Sequence, residues 1–158
     1  MPIRVLFVCT GNICRSPMAE AVFSNLVAEA GLTAQIAVDS AGTDSYHVGD
    51  SPDPRTMRVL RDKGIGNYRH TARRVTRADL QQYDYVLALD EDHEYALNSM
   101  AHNLTITAKI RRLMDYAPHM GERDVPDPYY DGRFGRVHEL VLAGCRGLLA
   151  EIRRDHGL

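Results

Sequence analysis

Residues 5–17 read V-L-F-V-C-T-G-N-I-C-R-S-P, an apolar strand that runs into a cysteine, a Gly-Asn turn, an arginine and a Ser-Pro pair. The apolar run starts at Ile3, and its near-continuous character over residues 3–8 is that of a strand buried on both faces. Ser16 is expected to cap a helix, with Pro17 at its first position. Ala19, Val22, Phe23, Leu26, Val27 and Ala30 then recur at helical spacing, and Gly31 is expected to end the helix. Residues 35–39 (Q-I-A-V-D) supply a second strand. Strand, helix and strand in this order make a βαβ unit, which implies parallel pairing and a right-handed crossover.

The alternation continues downstream. Pro54 opens a helix carrying Met57 and Leu60, with Gly64 as its stop. Thr76-Arg77-Ala78-Asp79 has the form of a capping box, with Asp in place of Glu, ahead of a strand at 84–89. A helix over about 91–101 and a short strand near 109–113 follow. Residues 115–135, rich in Pro, Gly and Asp, read as loop. The last helix, about 135–155, carries Val137, Leu140, Val141, Cys145, Leu148, Leu149 and Ile152 on one stripe, which makes Cys145 a core residue. No repeat or linker interrupts the pattern. The expectation is one α/β domain over residues 1–158, with a small parallel sheet and helices on both faces.

Composition narrows the function. With 158 residues, 44% hydrophobic and 25% charged, the chain sits in the ordinary globular range. A formal charge of −2 gives no electrostatic case for nucleic acid or an anionic membrane. The apolar run at 5–8 is too short for a signal peptide, and no stretch is long enough to span a bilayer, so a cytoplasmic protein is expected. Three cysteines are too few for a disulfide framework, and no second ligand pair completes a zinc site. No metal or other cofactor is expected.

The opening turn carries the chemistry. In open parallel sheets, ligands bind beyond the carboxyl ends of the strands, where loops meet helix N-termini. A turn over residues 9–15 can aim several backbone N–H groups at one anion, and the helix dipole adds positive potential. Gly11 and Asn12 suit such a turn because both tolerate positive φ. Cys9 lies at its base, where the same donors favour thiolate over thiol. The Ser16 hydroxyl can reach the sulfur, and the Arg15 fork matches two phosphoryl oxygens. These parts suffice for nucleophilic attack on phosphorus. A buried strand-end cysteine is more often inert, and it is the surrounding strand, Gly-Asn turn and Ser-Pro that favour a phosphate-binding turn. A departing oxygen also needs a proton donor. The best candidate is D-V-P-D-P-Y-Y-D-G at 124–132, where Pro126 and Pro128 stiffen the chain around Asp127; from spacing alone it reads equally as a surface turn.

These residues closely resemble the low-molecular-weight protein tyrosine phosphatase family, over nearly the whole chain. V-C-T-G-N-I-C-R-S-P and D-P-Y-Y (127–130) carry the likeness most specifically, supported by D-S-A-G-T (39–43), H-T-A-R (70–73) and Y-D-Y-V-L-A-L-D (83–90). The resemblance implies a four-stranded parallel sheet and a metal-free two-step hydrolysis of phosphotyrosine in proteins. Cys9 would form a cysteinyl-phosphate, Arg15 and the amides of residues 10–15 would hold the oxygens, Thr10, Cys14 and Ser16 would be among the substrate-binding residues, and Asp127 would be acid and then base. Ser40 and His70 would pin Asn12, and Ile13, Tyr46, His47, Tyr129 and Tyr130 would form the rim. Cys9 and Cys14 match family members with a reversible disulfide, although Cys14 reads equally as a small core residue. The protein would act as a monomer or weak homo-oligomer.

Other branches and other folds compete. Protein-arginine phosphatases of this family tend to carry threonine where Ile13 stands, so isoleucine favours phosphotyrosine. Arsenate reductases need a further cysteine pair in mid-chain, and none lies between 15 and 144. The D-E-D at 90–92 after an apolar strand resembles the Mg-dependent aspartyl phosphatases of the haloacid-dehalogenase type. His93 departs from that pattern, and an acidic helix N-terminus explains the cluster more simply. A non-catalytic phosphoprotein-binding module would need neither Cys9 nor Asp127.

Overall fold

A computed structural model describes residues Met1–Leu158. Four strands, β1 (Ile3–Cys9), β2 (Ile36–Gly42), β3 (Tyr85–Ala88) and β4 (Lys109–Arg112), form one parallel sheet in the order β2-β1-β3-β4. Six α-helices connect and cover them: α1 (Arg15–Glu29), α2 (Pro54–Asp62), α3 (Arg77–Gln82), α4 (Glu91–Met100), α5 (Pro128–Asp131) and α6 (Phe134–His156).

The apolar run of β1 is explained by its central place, because both faces of the strand are covered. Val5 and Phe7 join a core of 31 buried residues with α1, α2 and α6, whereas Leu6 and Val8 join a core of nine with α3 and α4. The two-residue period of a strand divides them. Cys145 is fully buried in the larger core, as its place on the α6 stripe predicts.

Local signals account for most helix starts. Asp53 caps α2 and Asp90 caps α4, each accepting a backbone N–H with its side chain. Thr76 and Asp79 make the expected capping box of α3. Gly31 at φ +72° and Gly64 at φ +84° follow α1 and α2 in the left-handed conformation that ends helices.

Four expectations need correction. Helix α1 begins at Arg15 with Cys14 at the cap position, so Ser16 is inside the helix and Pro17 is its third residue. The Ser16 hydroxyl is turned to Cys9 and Asn12 and caps nothing. Strand β2 runs to Gly42, beyond the expected 35–39, because it pairs with β1 as far as Cys9↔Gly42. The stretch 115–135 is not all loop: it holds 3-10 turns at Leu113–Tyr116 and Pro118–Met120, and the short α5. Finally, Gly11 does not have positive φ; Asn12 alone in this turn does, at φ 58°.

Candidate active site

The site lies at the carboxyl end of the sheet, where β1 delivers Cys9 to the turn before α1. The N–H groups of residues 11–16 find no acceptor in the protein. A helix N-terminus with no side-chain cap leaves such donors unsatisfied. Together they form a receptor for an anion. Cys9 Sγ is buried beneath them, 2.9 Å from Ser16 Oγ.

Asn12 holds the turn in its left-handed conformation. Its Nδ2 donates to Ser16 Oγ at 2.8 Å and to Ser40 Oγ at 3.0 Å. Its Oδ1 accepts from the Arg73 backbone N–H at 3.1 Å and from His70 Nε2 at 2.7 Å. Ser16 Oγ accepts from Asn12, and its own proton can go to Cys9 Sγ at 2.9 Å or to the more distant Ala41 carbonyl at 3.4 Å. A second layer, which sequence reasoning missed, anchors these partners: Ser40 and Tyr68 both donate to Glu20 Oε1, at 2.7 and 2.8 Å. Burial pushes the Glu20 carboxyl up to about 7. Burial also lowers His70. Glu20, Asp39 and His70 bring potential metal-ligand atoms within 4.8 Å of one another. These groups are already engaged, however, with His70 Nε2 on Asn12 and Asp39 bridged to Arg73.

Arg15 is only 4% exposed and is clamped from outside the turn. Its Nη1 donates to Asp90 Oδ2 at 2.9 Å and to the Val125 carbonyl at 3.0 Å, and Nη2 lies 3.4 Å from Thr10 Oγ1. Asp90, two residues beyond β3, is thus occupied by a guanidinium, and it caps α4, whose first turn carries Glu91 and Asp92. That accounts for the D-E-D cluster as an acidic helix N-terminus. The position directly after a central strand was the available signal for Asp90.

Asp127 reaches the same place from the far end of the chain. As the cap of α5, its Oδ1 accepts from the Tyr129 N–H at 3.0 Å, while Oδ2 lies 3.9 Å from Arg15 Nη2. Arg55 ties this segment to α2, donating to the Tyr129 carbonyl at 3.1 Å while paired with Asp53. The Asp53 N–H in turn donates to the Ile13 carbonyl, which joins α2 to the turn.

A cavity of about 360 Å³ opens over Cys9. Its lining includes Cys9, Arg15 and Asp127, with Ile13, Tyr46, His47, Tyr129 and Tyr130 as walls. Thr10, Gly11 and Cys14 also contribute, and so does Asp44, which sequence reasoning missed. Asn12 and Ser16 lie behind the turn with their side chains in its support, so neither lines the cavity. Tyr46 and Tyr130 are highly exposed at the rim. Gly11 is needed for clearance: a Cβ there would stand 2.9 Å from the His47 ring. Gly42 is needed more strictly, since a Cβ there would meet the Thr10 carbonyl at 2.5 Å. Burial pushes up the Cys14 thiol, and the nearby Asp53 carboxylate adds to the effect.

Residues 4–157 match the family model of the low molecular weight phosphotyrosine protein phosphatase. The chain is 46% identical to the low molecular weight protein-tyrosine-phosphatase YfkJ of Bacillus subtilis, with 99% of each chain covered. The crystal structure of YfkJ superposes with a TM-score of 0.94, covering 99% of this chain and 98% of that one. A low molecular weight protein-tyrosine-phosphatase of Streptomyces coelicolor is 49% identical, over 98% of this chain and 96% of its own. The Drosophila arginine phosphatase has the same fold at 35% identity and a TM-score of 0.90, covering 96% of this chain and 98% of its own. Family model, relatives and fold agree: the chain belongs to the low molecular weight phosphotyrosine protein phosphatases.

Proposed function

We propose that the protein hydrolyses phosphotyrosine in proteins, and small aryl phosphates, with Cys9 as nucleophile, Arg15 as oxyanion clamp and Asp127 as acid and base. The observation that carries this reading is that all three residues line one cavity although Asp127 is remote in sequence. In the first step, Cys9 sulfur bonds to phosphorus as the bond from phosphorus to the phenolic oxygen breaks, and Asp127 gives its proton to that oxygen. In the second, water attacks phosphorus, Asp127 takes its proton, the sulfur–phosphorus bond breaks and the thiolate returns. The unpaired N–H groups of residues 11–16 and the free edge of Arg15 balance the charge on the equatorial oxygens. The Ser16 hydroxyl, turned to the sulfur, supports the leaving thiolate.

Aromatic walls and a nucleophile at the cavity floor favour a long phenyl phosphate over a short serine phosphate. The buried Ile13 at the wall favours phosphotyrosine over phosphoarginine. The whole chain, residues 1–158, is proposed as one phosphatase domain acting without a metal ion. Acid quenching during turnover of an aryl phosphate should trap phosphate on Cys9. A burst of phenol should precede steady turnover, and EDTA should change neither. Cys9→Ser should abolish turnover yet keep vanadate binding; normal turnover in that variant removes Cys9 from the nucleophilic role.

A further inference from the structure

His93 is 2% exposed, takes no part in the chemistry above, and touches two groups that hold Arg15. Its Nε2 is 2.8 Å from Thr10 Oγ1, in the anion-binding turn. Its Nδ1 is 3.1 Å from Asp90 Oδ1, while the same oxygen accepts the His93 backbone N–H at 2.9 Å. Asp90 Oδ2 in turn takes Arg15 Nη1, and Arg15 Nη2 lies against Thr10 Oγ1. The contacts close into a ring: Arg15, Asp90, His93, Thr10 and back to Arg15.

We infer that His93 is a positioning residue for the phosphatase reaction, closing a buried ring that orients the Arg15 guanidinium through Thr10 and Asp90. The inference rests on the reading of Arg15 as the phosphate clamp. The proton positions follow by elimination. Nδ1 is buried without a well-aligned hydrogen-bond partner and faces a carboxylate oxygen. A lone pair there would repel the carboxylate, whereas an N–H attracts it, so the proton is on Nδ1. Nε2 is then an acceptor, and it takes the Thr10 hydroxyl proton. The Thr10 oxygen is left with its lone pairs toward Arg15 Nη2. The proton assignments are mutually consistent around the ring, with the Nδ1–H facing Asp90 as a charge contact and not as an aligned hydrogen bond. Burial, aided by the Arg15 charge, holds His93 down to about 4, so the ring is built on a neutral imidazole at neutral pH.

The energetic reason for such a ring is the freedom of an arginine. A guanidinium held on one edge by Asp90 and Val125 can still tilt about that edge; a contact at Nη2 removes the tilt. Pre-set donors stabilise a transition state without reorganising as the reaction proceeds.

The test compares wild type with H93L, H93Q, T10V and the double variant H93L/T10V. Turnover of p-nitrophenyl phosphate and the dissociation constant for inorganic phosphate are measured for each, and imidazole ¹⁵N shifts are recorded for wild type. H93L and T10V should each lower kcat/KM about tenfold, mainly through kcat, and weaken phosphate binding. The double variant should lose no more than the worse single one, since both break the same ring. H93Q, whose amide oxygen can accept the Thr10 proton, should recover most of the loss. Wild-type His93 should show a protonated Nδ1 and an unprotonated Nε2. Additive losses, no rescue by H93Q, or a protonated Nε2 overturns the proposal. If H93L fails to fold, T10V and the wild-type shifts still decide it. Absence of wild-type turnover would count against the phosphatase reading, whereas the ring would still be judged by the ¹⁵N shifts and phosphate binding.

Discussion

His70 Nε2 donates a 2.7 Å hydrogen bond to Asn12 Oδ1 across 58 residues of sequence. The bond keeps an asparagine at φ 58°, a conformation that a residue with a Cβ seldom adopts, at the tightest point of the turn. Asn12→Ala should lower kcat/KM ten- to a hundredfold and stability by about 2 kcal/mol, since buried partners lose their bonds. Asn12→Gly relieves φ but restores none of the four bonds. If its kcat/KM matched wild type, conformation rather than the network would be what matters.

Asp127 should matter in proportion to how badly the leaving group needs a proton. Asp127→Ala should slow phenyl phosphate about a hundredfold or more, and an aryl phosphate with a strongly acidic phenol far less. Equal losses across a leaving-group series would exclude the acid role.

The three thiols should respond differently to an alkylating agent. Burial pushes up both Cys14 and Cys145, so both remain protonated and inert at neutral pH. Iodoacetate at pH 7 should incorporate one equivalent, at Cys9, with loss of activity, and inorganic phosphate should protect. Mass spectrometry of the modified peptides checks the site.

Glu20 should give stability an unusual pH slope. Burial raises it from an ordinary 4.5 to about 7, so the folded state binds this proton more tightly than the unfolded chain does. Its contribution is fully present below about 4.5 and is lost as pH rises through 7, by about 3 kcal/mol at most. Glu20→Gln keeps an oxygen for Ser40 and Tyr68 and carries no charge. Urea unfolding should find it similar to wild type at pH 5 and more stable at pH 8. Parallel curves for the two proteins would show that Glu20 is ionised throughout.

How much of this was legible depended on distance along the chain. Cys9 and Arg15 lie in one strand–turn–helix, so short spacing and a βαβ pattern were enough to read them. Asp127 stood out because prolines frame it. Asp90 was marked only by its place after a central strand, and His93 carried no such signal, because a parallel crossover brings both to Thr10 and Arg15. Glu20 sits on α1 itself, but its partners Ser40 and Tyr68 come from later in the chain. Ser16 was legible as a partner of the Cys9 sulfur, 2.9 Å away, but misread as the helix cap. Its hydroxyl has stronger claims from Cys9 and Asn12 than from its own backbone, and the helix N-terminus stays uncapped for an anion. Residues 115–135 look irregular in composition, yet Asp127 and Gly132 bracket a single helical turn at 128–131.

The nucleophile's place in the sheet also bears on how the molecule breathes. Cys9 ends the central strand, flanked by β2 on one side and β3 on the other, over the larger of the two cores. The amides of β1 should therefore exchange with deuterium only when the whole sheet opens. Asp127 stands on a short surface turn, half exposed, fastened by a few bonds to Arg15 and Arg55. Mild denaturant should thus release the proton donor well before it disturbs the sulfur, leaving a protein that still accepts phosphate but has lost its means of expelling a reluctant phenol.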